Sequence, residues 1–311
     1  MERQKLHLLD PREYEHEFDR RALDTLKGTP GLEKLMRKIN KHAIERVNRI
    51  SYTGSYLKVN ENSFPDIYQL LEEVCTNLNL QDVPELYINY ESGKNSSTLG
   101  SEKPIIVLSR RSIDWLSTKE LLYVIGHEVG HIKSGHMLYL QMARILPYVS
   151  DIFSSATLGL GGLVSTGMEI ALYHWYRMSE FTADRAGLLA SQDSEAYIKA
   201  LMKIAGLPKK YYKYIKTEEF IKQAREFKDY DYDSLDKVAK AATIMWQDHP
   251  WTVMRASELL KWIEAGKYQE IIDKHTGDTV ESLELTCISC GSKLTGTETF
   301  CGNCGAKISG R

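Results

Sequence analysis

The sequence predicts a mainly helical chain with a small β-sheet, an α+β class, followed by a small cysteine-rich module. Three observations lead there. Apolar residues recur at helical spacing through most of the 311 residues. Only two short runs near the middle have strand character. Four of the five cysteines fall in the last 25 residues, in two CxxC pairs.

Composition sets outer limits. With 42% hydrophobic and 26% charged residues the chain is an ordinary globular protein. A net charge of −2 provides no basic field, so no nucleic acid is expected as a partner. The first 26 residues, MERQKLHLLDPREYEHEFDRRALDTL, are too charged to hold the apolar stretch of a secretory signal, and residence in the cytoplasm is the expectation.

The elements follow in order. Thr29-Pro30 suits a helix start, and Leu32, Leu35, Met36, Ile39, Ala43, Val47 and Ile50 then form one apolar face. A second helix is expected from Pro65 to Leu78, with Cys75 as a small buried hydrophobe. ELYINY (85–90) and PIIVLS (104–109) read as strands separated by a Gly/Ser/Asn-rich turn. Ser117 and Glu120 then make an S-x-x-E capping box ahead of Leu121, Leu122, Val124 and Ile125, so a helix begins there. Further helices are expected near 169–190, 194–205, 217–227, 234–246 and 252–264. Residues 273–285 are polar and aperiodic, as in a linker.

One run raises the question of a membrane. Residues 152–168, IFSSATLGLGGLVSTGM, carry no charge but include four glycines. That is at the short limit for a spanning helix. A buried or mobile hairpin is the favoured reading, with membrane contact as the alternative.

The chemistry centres on HEVGH, residues 127–131. Four apart on a helix, His127 and His131 present two imidazoles to one ion, and Glu128 projects beside them, placed to take a proton from water. Chance alone would produce HExxH in a chain this long at about one per cent, so the motif is moderately specific. A catalytic zinc needs a third protein ligand and an open position. Glu180, in SEFTADRAG, is the candidate, with Asp184 four residues on able to orient a ligand histidine. Spacing alone leaves open a solvated helix face beside Arg177 and Arg185.

The tail, CISCGSKLTGTETFCGNCG, offers a second set: Cys287, Cys290, Cys301 and Cys304, with Gly291 and Gly305 after each pair. Cytosolic cysteines are normally reduced, and two close pairs suit a tetrahedral ion. This resembles the zinc-ribbon modules appended to many proteins, and implies a structural zinc and a protein-docking role.

GHEVGHIKSGHMLY followed by SEFTADRAG resembles the HtpX-like zinc metallopeptidases, related to the CAAX prenyl proteases. KNSSTLGSEKPIIVLS and HPWTVMRASEL match that family's turn with edge strand and its later His-Pro…Arg segment. The resemblance implies a zincin-like metallopeptidase domain with His127, His131 and Glu180 as zinc ligands and Glu128 as general base. It implies Asp184 behind a ligand, His249 as stabiliser of the oxyanion, and Arg255 holding or assisting His249. His249 can equally be a capping or core residue before Pro250. His136 is expected to be structural or to back a ligand. Asn95-Ser96 stands where relatives often have Asn-Ala.

The expected organisation is a helical segment over 1–60 packed on a peptidase domain at 61–272, the linker at 273–285, and the ribbon at 286–311. The expected activity is endopeptidase cleavage of unfolded or damaged polypeptides with one catalytic and one structural zinc. An extended substrate would pair along Ile105–Leu108. Two alternatives are a noncatalytic zinc scaffold that works through its ribbon and a peripheral membrane-associated protease using 152–168. Glu128 argues against the scaffold, which needs no base between its ligands.

Overall fold

The computed structural model describes residues 3–28, 37, 45–90, 95–144, 160–214, 216–229, 251–276, 292, 303 and 304; for 46–48 and 160–169 it describes the backbone alone. The N-terminal helices are α1 (Pro11–Tyr14), α2 (Glu17–Lys27) and α3 (Glu45–Ser55). After β1 (Leu57–Val59) come α4 (Pro65–Asn77), β2 (Glu85–Asn89), β3 (Ser96–Leu99) and β4 (Ile105–Ser109). Helices α5 (Arg110–Trp115), α6 (Thr118–Lys133), α7 (137–144) and α8 (Leu160–Ser191) follow. Then come α9 (Ser194–Ile204), a 3₁₀ turn (Lys209–Tyr214), α10 (Thr217–Asp229), α11 (Thr252–Glu264) and α12 (Lys267–Thr276).

The four strands form one sheet in the order β1-β2-β4-β3. β2 and β4 pair in parallel, with Glu85 opposite Ile105, and the outer strands are antiparallel to their neighbours. All five residues of β4 are buried, which explains why IIVLS reads as a continuous apolar run. Leu86, Ile88, Ile106 and Leu108 face the main helical core, and Tyr87, Ile105 and Val107 the opposite side, where Tyr52 and Tyr56 pack.

β4 is an interior strand. The expectation that a substrate pairs along Ile105–Leu108 is therefore corrected, because Ser97 and Thr98 already occupy that side opposite Val107 and Ile106. The edge is β3, whose polar sequence SSTL gave no strand signal inside the turn region. β1 was also missed, being only three residues long with two of them exposed.

The capping box at the start of α6 is present: Ser117 N–H donates to Glu120 Oε2 at 2.7 Å. Glu120 also accepts from Lys203 Nζ at 2.6 Å, which ties α9 to the same helix start. Cys75 is buried, and that burial pushes its thiol up to about 12, as suits a core residue.

Residues 160–168 are the opening turns of the 32-residue α8; residues 152–159 lie outside the described residues. No helix among the described residues is long and apolar enough to cross a membrane. The linker does not begin at 273, because α12 runs on to Thr276 and His275 is buried, its Nδ1 donating to the His7 carbonyl at 2.6 Å. Such partners, distant in sequence, leave no periodic trace. The expected helix at 234–246 and most of that at 29–50 lie outside the described residues.

Candidate metal centre

Small residues bring the two site helices together. Gly126 and Gly130 of α6 lie against Ala183, Ala186, Gly187 and Ala190 of α8. A Cβ on Gly126 would stand 2.6 Å from the Ala190 methyl, and one on Gly187 would stand 2.7 Å from the Tyr123 ring. Backbones this close leave the histidines of α6 facing Glu180 of α8.

His127 Nε2 lies 3.5 Å from Glu180 Oε2, and His131 Nε2 lies 3.5 Å from Glu180 Oε1. The three residues are buried, and their ligand atoms are within 4.8 Å of one another. A tetrahedral ion with ligands at about 2.1 Å holds its donors about 3.4 Å apart. The donor set fits zinc in both chemistry and span.

The second ring nitrogen of each histidine is also held. His127 Nδ1 meets Asp184 Oδ1 at 3.0 Å, and Asp184 also accepts from the Tyr123 hydroxyl at 2.6 Å and Arg255 Nε at 2.8 Å. His131 Nδ1 meets His136 Nδ1 at 3.0 Å, and His136 Nε2 meets Asp19 Oδ2 at 3.0 Å. Asp19 in turn accepts from Trp175 Nε1 at 2.8 Å and the Thr182 hydroxyl at 2.6 Å. One histidine is thus backed by a carboxylate directly and the other through a second imidazole.

Burial works to raise the Asp184 carboxyl, but the Arg255 guanidinium and His127 outweigh it and hold it at about 2. Burial depresses both ligand histidines. Asp184 and Glu180 nevertheless lift His127 to about 9, whereas His131, which has no direct carboxylate on its Nδ1, falls to about 4.

Glu128 is buried beside this set. Its Oε1 accepts from the Ser96 hydroxyl at 2.6 Å, and its Oε2 accepts a short hydrogen bond from the Thr98 hydroxyl. Both donors belong to the edge strand β3. The cavity over the site is lined further by Arg144, Tyr176, Ile204 and Arg255. Arg144 donates to the Thr98 carbonyl at 2.7 Å, fixing the same strand.

The family model described as peptidase family M48 matches residues 61–263. The chain belongs to peptidase family M48. It is a metallopeptidase, and the His127, His131 and Glu180 cluster fits the zinc site of a zinc-dependent protease. This M48 chain is 29% identical over 268 residues to "Plastoglobule-localized metallopeptidase 48, chloroplastic" of Arabidopsis thaliana, covering 86% of this chain and 76% of that protein. It is 26% identical over 175 residues to the "Protease HtpX homolog" of Burkholderia multivorans, covering 49% of this chain and 61% of that protein. The "Protease HtpX homolog" of Burkholderia cenocepacia matches to the same extent. No solved structure matches.

Within this M48 fold, the solvated-face reading of Glu180 and Asp184 is ruled out: they are 2% and 1% exposed. Arg255 is bonded to Asp184 and lies 3.4 Å from Glu180 Oε2 through Nη1. His249, Cys287, Cys290 and Cys301 lie outside the described residues. Cys304 is exposed in a turn, and the neighbouring Asn303 side chain donates to Ser292 Oγ at 2.8 Å. Sequence reading missed Asp19, Tyr123, Thr98, Arg144 and Tyr176. Tyr123, four residues before His127 on α6, could have been found by helical spacing, whereas no spacing rule links the other four to HEVGH.

Proposed function

We propose that this M48 peptidase is an endopeptidase for unfolded or damaged polypeptides, with His127, His131 and Glu180 as zinc ligands and Glu128 as general base. The observation that carries the reading is the position of Glu128. Its buried carboxylate lies beside the three ligand atoms and is held by two hydroxyls of the edge strand β3.

Zinc, when bound, supplies Lewis acidity, lowering the pKa of water and polarising a carbonyl. The remaining work falls to the chain. β3 is the outer strand of the sheet among the described residues, and an extended peptide laid along it would be fixed by its backbone without demanding one side-chain sequence. Glu128 accepts the proton of the attacking water and passes it to the leaving amine. Ser96 and Thr98 hold its carboxylate toward the substrate strand meanwhile. Asp184, clamped by Arg255 and Tyr123, fixes the His127 ring, and His136 does the same for His131. His249 is assigned the oxyanion, a task that needs a donor aimed at developing negative charge.

The four tail cysteines are proposed to hold a structural zinc in a ribbon over 286–311, joined by a linker from 277 and serving a protein partner. The Asn303–Ser292 hydrogen bond supports this, since it joins the neighbourhoods of Cys290 and Cys304. The peptidase unit is assigned to 61–272, with 1–60 packed on it. Cytoplasmic residence remains the assignment. The plastoglobule relative keeps a peripheral membrane location, through residues near 152–168, as its alternative.

The substrate class is tested with one protein in two states, native and reduced-alkylated. Rapid cleavage of the unfolded form at scattered bonds, with the native form spared, supports the reading. Cleavage confined to one bond of a folded protein contradicts it.

A further inference from the structure

Residues 207–216, between α9 and α10, read LPKKYYKYIK: four lysines, three tyrosines and no acidic residue, in a chain of net charge −2. Lys209–Tyr214 form a 3₁₀ turn in which no residue is buried. Lys209, Lys210, Lys213 and Lys216 are exposed, and among the described residues none of the four is in an ion pair. The next acids, Glu218 and Glu219, come only in the first turn of α10.

The tyrosines divide the turn into an inner and an outer side. The Tyr212 ring lies 4.4 Å from Lys203 Nζ, and Lys203 is fixed by Glu120 and by the Trp115 carbonyl at 3.0 Å. Tyr212 therefore anchors the segment to the body. Tyr211 and Tyr214 are 48% and 75% exposed. Lys210 Nζ lies 4.9 Å from the Tyr211 ring, so cation and phenol are displayed together. The segment also begins just past the site: Ile204 lines the catalytic cavity, and Gly206, at φ +108°, turns the chain away from it.

Four unneutralised ammonium groups repel one another until an anionic partner arrives. An acidic peptide would need a groove or a strand edge to bind. The cavity beside Tyr212 is lined by Glu120, Asp193 and Glu195, whose carboxylates disfavour an acidic peptide there, and the 3₁₀ turn is not a strand. A lipid surface needs only a protruding tip: phenol rings settle at the headgroup level, and lysine stems lie along apolar surface with their heads at the phosphates. We infer that residues 207–216 are a docking tip for an anionic lipid surface, which sets the catalytic cavity beside chains at that surface.

The test is flotation of the full-length protein with vesicles of neutral phosphatidylcholine, alone or mixed with anionic phosphatidylglycerol. A variant carrying Lys209→Glu, Lys210→Glu, Lys213→Glu and Lys216→Glu is run alongside. These side chains are exposed, so circular dichroism and cleavage of a soluble unfolded protein should match wild type and certify the fold. The wild type is expected to float with anionic vesicles only, and less so as salt rises. The variant's partition coefficient should fall on the order of a hundredfold or more. Equal binding to neutral vesicles, or undiminished flotation of the variant, overturns the assignment. So does soluble polyglutamate that strips the protein from vesicles at equal charge, which would make the partner an acidic polypeptide.

Discussion

A methyl group placed on Gly130 would stand 2.5 Å from the Cβ of Ala186, closer than two carbons can approach. The helix bearing both histidines and the helix bearing Glu180 are spaced by that absence of side chain. The obstacle is a methyl fixed to its own helix backbone, so Gly130→Ala must push the helices apart. The expected cost is about 1–3 kcal/mol of stability, together with weaker zinc binding. The same change at Gly54, which sits in α3 with nothing within 4 Å of a new Cβ, should stabilise by about 0.4–1 kcal/mol. Thermal melts of the two variants check the opposite signs.

Asp184→Asn keeps the shape of the residue but removes the charge that fixes the His127 ring. A metal ligand loses roughly 10–100-fold in affinity when such a partner is replaced. Zinc competition against a chromophoric chelator should show that loss, with Arg255 left as a buried guanidinium without its main carboxylate.

Glu258 provides a pH signature away from the metal. Burial acts to raise its carboxyl, but His16 at 3.3 Å and Lys261 outweigh it and bring it from 4.5 down to about 2. The folded form thus binds the proton less readily than the unfolded chain. The resulting stability is fully present above about 4.5 and is lost as pH falls toward about 2. Glu258→Gln should have a shallower decline across that window in denaturant melts. An unchanged acid limb would contradict the assignment.

What the sequence revealed and what it concealed divide along a physical line. The α6 start and its two histidines were legible because capping and i, i+4 spacing are local rules, whereas the later Glu180 and Asp184 rested on the family resemblance, spacing alone leaving a solvated face open. β3 was not, since SSTL has no apolar alternation and becomes a strand only by pairing with β4. Asp19 could not be found at all. It lies in an ordinary charged helix segment, EFDRR, and reaches His136 only because α2 packs on α8. Arg255 is legible as a site residue, but its bond to Asp184 is not, because a motif gives identity without direction.

The tail can be separated from the catalytic centre by stoichiometry. The intact protein should bind two zinc ions, and Cys301→Ser with Cys304→Ser should bind one while still cleaving unfolded protein. Elemental analysis alongside a peptidase assay reads both numbers. Two ions in the double variant would contradict the ribbon.

The most direct test of the central claim is hydrolysis of a reduced-alkylated protein by the zinc-loaded enzyme, compared with Glu128→Gln. The amide is nearly isosteric and keeps a partner for each hydroxyl, accepting from one of Ser96 and Thr98 through its oxygen and donating to the other through its nitrogen, but it cannot take a proton from water. The account predicts that cleavage disappears in the variant while zinc remains bound at the wild-type ratio. Cleavage at the wild-type rate by a fully metallated Glu128→Gln would contradict it.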